Sequence, residues 1–384
     1  MFKSTSFLEL SQSALSENIS FLREQFGREV KLSSVVKGNA YGHGIEHFVP
    51  MAEKAGIDHF SVFSGDEAWR VYSSARKSPG LMIMGWLETD EMLWAIEHAV
   101  SFWVFDAERV DRALELARKR RGRALLHLEV ETGMNRTGLT NKAFDYAIKK
   151  IKENPGHLSL AGICTHYAGA ESVANFVRVN RQISRFNKAV KKLDRMGLDA
   201  GCRHTACSAA AMNYPRTRMD MVRAGIMQYG FWPSTETYIQ YIHGKKEKYD
   251  PLNRVISWKS SIMSLKKVRE GEFVSYGTTY LAREEKLIAV IPVGYSHGFS
   301  RELSNQGRVL VHGQRVGVIG MVNMNMLIAD VTSIPDVKTG DEVVIIGKQD
   351  QLEITVASFS EISNQVNYEL LVRIPERTRR IVVA

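Results

Sequence analysis

In "VVKGNAYGHG", residues 35–44, an apolar run ends on Lys37, and Gly38, Asn39, Gly42 and Gly44 follow closely. Lysine is rarely buried without a partner. A desolvated amine loses basicity and becomes a nucleophile or a general base near neutral pH. Other polar residues occupy comparable places. Arg136 lies in "ETGMNRTG" just after an apolar run, and His166 closes "LAGICTH". Ser208 closes "GCRHTACS", and Arg223 with Gly225 lies in "DMVRAGI". An amine, two guanidiniums and an imidazole gathered on one rim suit proton transfer. Their positive field suits a small anion such as a phosphate ester or a carboxylate.

Other motifs carry less. "HGIEH", residues 43–47, has the HxxEH spacing of a zinc site, but no clear third ligand accompanies it. "GYSHGFSREL" and "RVGVIG" hold glycines without a helix-opening GxGxxG. "TACSAA" lacks the GxSxG elbow, so Ser208 reads as a helix-opening serine that caps or binds phosphate. The basic run "RKRRGR", residues 118–123, has no interleaved aromatic residue and reads as a solvated helix end, not a nucleic-acid site.

The elements that must position these residues show in the hydrophobic pattern. Apolar runs begin at Lys31, His59, Leu81, Ser101, Ala124, Leu160, Gly201 and Asp220. Amphipathic stretches such as "AERVDRALELARKR" and "NRQISRFNKAVKKLDRMG" separate them, the second ending in Gly197. Strand and helix alternating eight times predict an α/β fold, a (β/α)8 barrel over residues 11–245, with a doubly wound open sheet as the alternative. In a barrel, Lys37, Arg136, His166, Ser208 and Arg223 all fall at strand C-terminal ends, where active sites form. After about residue 245 the texture changes. "HGKKEKYDP" reads as a linker, and "LIAVIPVGY", "RVGVIGMV", "MLIADV" and "DEVVIIG" follow without long helices between them. Residues 246–384 therefore predict a mostly β second domain, with "SFLEL" at residues 6–10 a candidate to join it.

The 384 residues allow two domains. Hydrophobic content of 44% and charged content of 24% are those of a soluble globular chain. No run has the length of a signal peptide core or a membrane span, so a cytoplasmic location is expected. The three cysteines, Cys164, Cys202 and Cys207, form no CxxC pair, and no disulfide framework is expected.

Taken in order, "VVKGNAYGHG", "ETGMNRTG", "CTHYAGA", "CSAA", "MVRAGIMQYG", "VSYGTTY", "IPVGYSHGF", "GMVNMNM" and "NYELLVRIPERTRR" resemble the motifs of the pyridoxal-phosphate alanine racemases. The resemblance runs from about residue 6 to the end. It implies an N-terminal barrel, a C-terminal β domain, pyridoxal 5′-phosphate as cofactor, an amino-acid substrate and a homodimer with shared active sites. It implies that Lys37 forms the Schiff base and that Arg136 bonds the cofactor phenolate and the substrate carboxylate. Tyr41, Ser208, Gly225, Ile226 and Tyr368 match positions that hold the phosphate, and Arg223 the arginine facing the pyridine nitrogen. Tyr276 matches the second catalytic base, supplied across the dimer, and His166 the histidine that hydrogen-bonds it. Met324 matches the residue whose backbone amide meets the substrate carboxylate, and Tyr295 a tyrosine lining the entrance. No metal is implied. The activity expected is interconversion of L- and D-alanine for the cell wall; the alternatives are a serine, lysine or broad-specificity racemase, a decarboxylase, or a PLP-binding regulator.

Two positions depart from the family pattern. Glu129 stands where many members carry a lysine carbamylated by carbon dioxide, and a permanent carboxylate there is expected to serve Arg136 as negative partner. Asn325 replaces the usual aspartate after Met324.

Overall fold

The computed structural model describes residues 4–356 and 367–384. It divides into two compact units. One comprises Ala14–Lys37 and Phe48–Asn253; the other comprises Met1–Ser13, Gly38–His47 and Arg254–Ala384. Strand β1 (Ser6–Ser11) belongs to the second unit.

The first unit is built on eight strands: β2 (Lys31–Val35), β3 (His59–Val62), β4 (Gly80–Ile83), β5 (Ser101–Val104), β6 (Ala124–Glu129), β7 (Leu158–Cys164), β8 (Cys202–His204) and β9 (Met221–Ala224). They run in the order β8-β7-β6-β5-β4-β3-β2-β9, and all the pairings along this order are parallel. The ring closes where Cys207 bridges Arg223, with the Arg223 N–H donating to the Ala206 carbonyl at 3.0 Å. This is a barrel and not the open sheet. Strands β3, β5 and β9 are buried at every residue, as expected where helices cover one face and side chains fill the other.

Local chemistry sets the helices between the strands. The Asp106 carboxylate accepts the Arg109 N–H at 2.8 Å and starts helix Ala107–Arg120. That helix ends in Arg118, Lys119 and Arg120, cations that suit its negative C-terminal pole. The run 118–123 is therefore a helix end, where Arg118 bonds Asn154 and Arg120 pairs with Glu97. Helix Phe176–Arg195 stops before Gly197, whose φ of 71° few other residues adopt readily.

The second unit is mostly β. Its larger sheet runs β14 (Gln314–Gly317), β13 (Arg308–Val311), β16 (Glu342–Gln349), β10 (Ile256–Ser261), β1, β18 (Arg379–Val383), with β17 (Leu352–Ile354) on β16. A three-stranded sheet joins β11 (Ser264–Val268), β12 (Lys286–Ile291) and β15 (Leu327–Asp330). "SFLEL" lies here as β1, antiparallel to β10 and parallel to β18. Buried and half-buried residues alternate along β1 and β10, the pattern of strands with one face on a core. The Gly38–His47 loop also belongs to this unit, an excursion that a division of the chain at 245/246 does not contain. Among the described residues, no helix is long and apolar enough to cross a membrane.

Candidate active site

Lys37 comes two residues after β2, whose last backbone tie is Val36 N–H to the Ser61 carbonyl at 2.9 Å. The chain then turns left-handed for four residues: φ is 61° at Gly38, 54° at Asn39, 53° at Ala40 and 51° at Tyr41. Only the first is glycine, and each of the others costs about 1–2 kcal/mol. Specific bonds hold the turn. Gly42 N–H donates to the Gly38 carbonyl at 3.0 Å, and Asn39 Oδ1 accepts the Ile45 N–H at 3.1 Å. His43 Nδ1 lies 3.0 and 3.1 Å from the Ala40 and Tyr41 carbonyls, so it carries the proton and donates. Burial lowers the pKa of His43 to about 3, so the ring is neutral. The first histidine of "HGIEH" is thus a loop fastener. Arg380 grips the Gly42 carbonyl through Nη2 at 2.7 Å and Nε at 3.2 Å. Gly42 has φ 82°, and a Cβ there would lie 2.0 Å from the Leu371 carbonyl oxygen. Gly42→Ala is expected to cost more than about 1 kcal/mol, seen as a lower thermal midpoint, and to weaken retention of any group bound at Lys37.

Within the barrel unit, the Lys37 amine is held below its ordinary pKa, first by desolvation and then by the positive charges of Arg136 and Arg223, while Glu67 and Cys207 oppose them. The residue is still reached by solvent. His166, just past β7, is pushed down to about 3, by burial first and then by Arg223, Arg136 and Lys37. It is a neutral imidazole, and Gln182 holds its backbone by donating to the His166 carbonyl at 3.0 Å. Arg136 lies exposed on the loop after β6.

Glu129 ends β6 and is 3% exposed, and its Oε2 has no hydrogen-bond partner among the described residues. Burial raises its pKa; a Thr137 hydrogen bond and the charges of Arg136 and Arg223 pull it back. No direct ion pair with Arg136 through Oε2 is formed, and Arg136 acts on it through its field. A carboxyl whose folded pKa is raised holds its proton more tightly in the native state. Its stabilising contribution is complete below the unfolded pKa and disappears as pH rises through the folded one. Glu129→Gln is therefore expected to be more stable than the parent at pH 7 by about 1–2 kcal/mol. The gain fades below about pH 4, where the unfolded carboxyl is itself protonated. Urea melts at the two pH values check it.

Arg223 is 3% exposed, with its guanidinium 5.2 Å from the Trp103 ring centroid. Nη2 donates to the Thr165 and Thr205 carbonyls at 2.9 and 3.1 Å. Nη1 donates to the His204 carbonyl and to His204 Nδ1, both at 2.7 Å. Arginine only donates, so His204 Nδ1 accepts and its proton sits on Nε2. That proton goes to His127 Nδ1 at 2.8 Å. Burial holds both rings neutral: His127 is pushed down to about 3, and His204 falls well below its ordinary value. Ser208 opens helix Ser208–Asn213, and its Oγ accepts the Gly225 N–H at 2.9 Å, which leaves its own proton free to donate outward. Ile226 begins a short 3-10 turn, so its N–H stands at a helix start. Sequence reasoning missed His127, His204 and Gln182. The signal was present, since each histidine interrupts an apolar strand, but polarity there read as weak strand character instead of a mutual partner.

The other expected residues lie in the second unit. Tyr41 and Tyr368 meet edge to face with ring centroids 6.2 Å apart. Tyr276, Met324 and Tyr295 are 73%, 55% and 44% exposed. Their loops are joined, with Tyr295 N–H donating to the Asn323 carbonyl at 3.1 Å and Ser296 N–H to the Met324 carbonyl at 3.0 Å. Asn325 Oδ1 accepts the Ser296 hydroxyl at 2.8 Å.

Comparison with known proteins matches this arrangement. The pattern described as "Alanine racemase, N-terminal domain" covers residues 10–233, and "Alanine racemase, C-terminal domain" covers residues 255–382. A relative named alanine racemase from Leptospira interrogans is 34% identical over 383 residues, spanning 99% of this chain and 96% of its own. One from Methanococcus maripaludis is 32% identical over 374 residues, spanning 97% of each chain. Among solved structures, the alanine racemase of Bacillus anthracis with bound L-Ala-P superposes with a TM-score of 0.90 at 29% identity, covering 100% of this chain and 96% of that one. The Clostridium difficile alanine racemase gives 0.90 at 26% identity, covering 100% and 97%. With both domains matched in order, this chain belongs to the alanine racemase family.

Proposed function

We propose that this chain is a homodimeric, pyridoxal 5′-phosphate-dependent racemase of the cytoplasm that interconverts L- and D-alanine, supplying D-alanine for peptidoglycan. The observation that carries the reading is the Lys37 amine at the barrel mouth, made less basic by burial and by Arg136 and Arg223. The residues present suit the cofactor. Lys37 offers an amine that its surroundings make less basic than an ordinary lysine. The Ser208 hydroxyl and the Ile226 N–H offer donors to a phosphate beside Gly225. In the other unit, Tyr41 and Tyr368 offer phenols. When bound, pyridoxal phosphate supplies the electron sink that acidifies the substrate Cα–H.

Racemisation removes that proton from one face and returns one on the other, and two bases on opposite faces do this directly. Lys37 Nζ serves one face, and the partner subunit's Tyr276 serves the other. Neutral His166 offers a hydrogen bond to that tyrosine. Arg136 and the Met324 backbone amide hold the substrate carboxylate, and Tyr295 lines its entrance. Arg223 would face the ring nitrogen. Its side-chain donations go to carbonyls and to His204 Nδ1, with no carboxylate among them. A cation there would leave the ring nitrogen unprotonated and the sink weak, favouring return of the proton over transamination.

The test is turnover of a panel of L-amino acids in deuterium oxide with added cofactor. D-alanine carrying α-deuterium is expected. Negligible alanine turnover beside fast serine or lysine turnover would reject the substrate, and carbon dioxide release would reject the reaction.

A further inference from the structure

Tyr276 sits on a strained turn. Ser275 before it has φ 67°, and Gly277 after it has φ 69°. A serine rarely adopts a left-handed backbone unaided. What fixes it comes from another loop. Ser275 Oγ donates to the Met321 carbonyl at 2.7 Å and to Asn323 Oδ1 at 3.1 Å, a three-centre bond. Asn323 is itself held, its N–H donating to the Met326 carbonyl at 2.9 Å. Its carbonyl accepts the Tyr295 N–H at 3.1 Å. Asn323 thus touches all three segments that carry Tyr276, Tyr295 and Met324. The packing leaves no slack. A Cβ at Gly294 would lie 2.1 Å from the Asn323 carbonyl oxygen, and one at Gly320 would lie 2.6 Å from the Val274 carbonyl oxygen. Asn305 adds a tie on the far side, with its Nδ2 donating to the Thr279 carbonyl at 3.3 Å and its Oδ1 accepting the Gly320 N–H at 2.6 Å. Yet the Tyr276 side chain is 73% exposed, so the rigidity lies beneath it and the phenol projects outward.

We infer that Asn323 and Ser275 form a clamp that fixes the Tyr276 turn for proton transfer. This rests on the reading of Tyr276 as a base. Asn323 is a positioning residue, acting through Ser275, and its side-chain oxygen holds the turn while its backbone ties the same unit to the Tyr295 loop. The class of reaction it serves needs this, because a proton acceptor displaced by an ångström loses about a hundredfold in rate.

The equilibrium constant between enantiomers is one, so any variant must lower kcat/KM equally in both directions. The α-deuterium isotope effect carries the distinguishing information. Asn323→Ala is expected to lower kcat by about ten- to a hundredfold, with cofactor absorbance unchanged. The isotope effect should rise with one α-deuterated enantiomer and not with the other, because only the Tyr276 transfer is slowed. Amide hydrogen exchange should quicken at residues 275–277, with the barrel strands unaffected. Asn323→Asp keeps the acceptor oxygen and should recover most of the rate. Ser275→Ala should reproduce the loss. Parental turnover and parental exchange in Asn323→Ala would overturn the clamp, as would an isotope effect that changes alike for both enantiomers, or exchange that quickens throughout the chain. Tyr276→Phe, run alongside, separates the two claims. If it stays fully active, the base assignment falls and the clamp loses its catalytic purpose. If it is inactive while Asn323→Ala is parental, the clamp alone falls.

Discussion

Lys37→Ala is expected to abolish racemisation, by at least about 10⁴-fold, and at the same time to make the cofactor-free protein more stable at pH 7. Few substitutions at a lysine do both. The loss of activity follows from the role proposed for the amine. The gain in stability follows from its surroundings. Burial and two guanidiniums hold the folded-state pKa of Lys37 below its ordinary value. The native state therefore releases this proton more readily than the unfolded state. Stability rises as pH rises through the window between the two values and is lost as pH falls through it. At pH 7 the parent bears part of that penalty, and alanine removes it. Thermal melts of both proteins from pH 7 to pH 10 should show the advantage of Lys37→Ala shrinking as pH rises. Lys37→Arg restores a permanent charge, so it should be both inactive and less stable than Lys37→Ala. Equal melting of all three at every pH would show that the amine is ordinary.

Tyr276→Phe is expected to lower turnover by about 10²–10⁴-fold with no change in thermal midpoint. The clean separation comes from exposure, because a phenol that is 73% accessible contributes little to the fold of its own unit. Exchange of the substrate α-proton with solvent should survive for one enantiomer, because Lys37 still serves its face. Full racemisation by the phenylalanine variant would remove the second base from the scheme.

Much of the architecture was legible because hydrophobic periodicity reports burial. Each of the eight apolar runs lies on a barrel strand, β8 with only three residues and β9 with an arginine inside it. Those two were the hardest to read, and the reason is instructive. His204 and Arg223 are polar because they bond each other, and such pairing is invisible until both strands are placed. The motifs made the site residues legible one by one. They did not reveal the left-handed turn at residues 38–41, since three of its four residues carry a Cβ that disfavours that backbone. They did not reveal why Gly42 is glycine, because the carbonyl that excludes a side chain and the arginine that grips the loop come from the far end of the chain, Arg380 lying 338 residues away. Nor could spacing show that Glu129 ends with an orphaned buried oxygen instead of a direct pair with Arg136. In each case a contact between distant segments decides the outcome, and pattern within a segment carries no record of it.

The account stands on Lys37 being the residue that engages the cofactor aldehyde. Protein incubated with pyridoxal phosphate, reduced with borohydride, digested and read by mass spectrometry tests this without reference to substrate. The pyridoxyl mass is expected on the peptide containing Lys37 and on no other, together with loss of the visible absorbance band. Label on a different lysine, or no label at all, would contradict it.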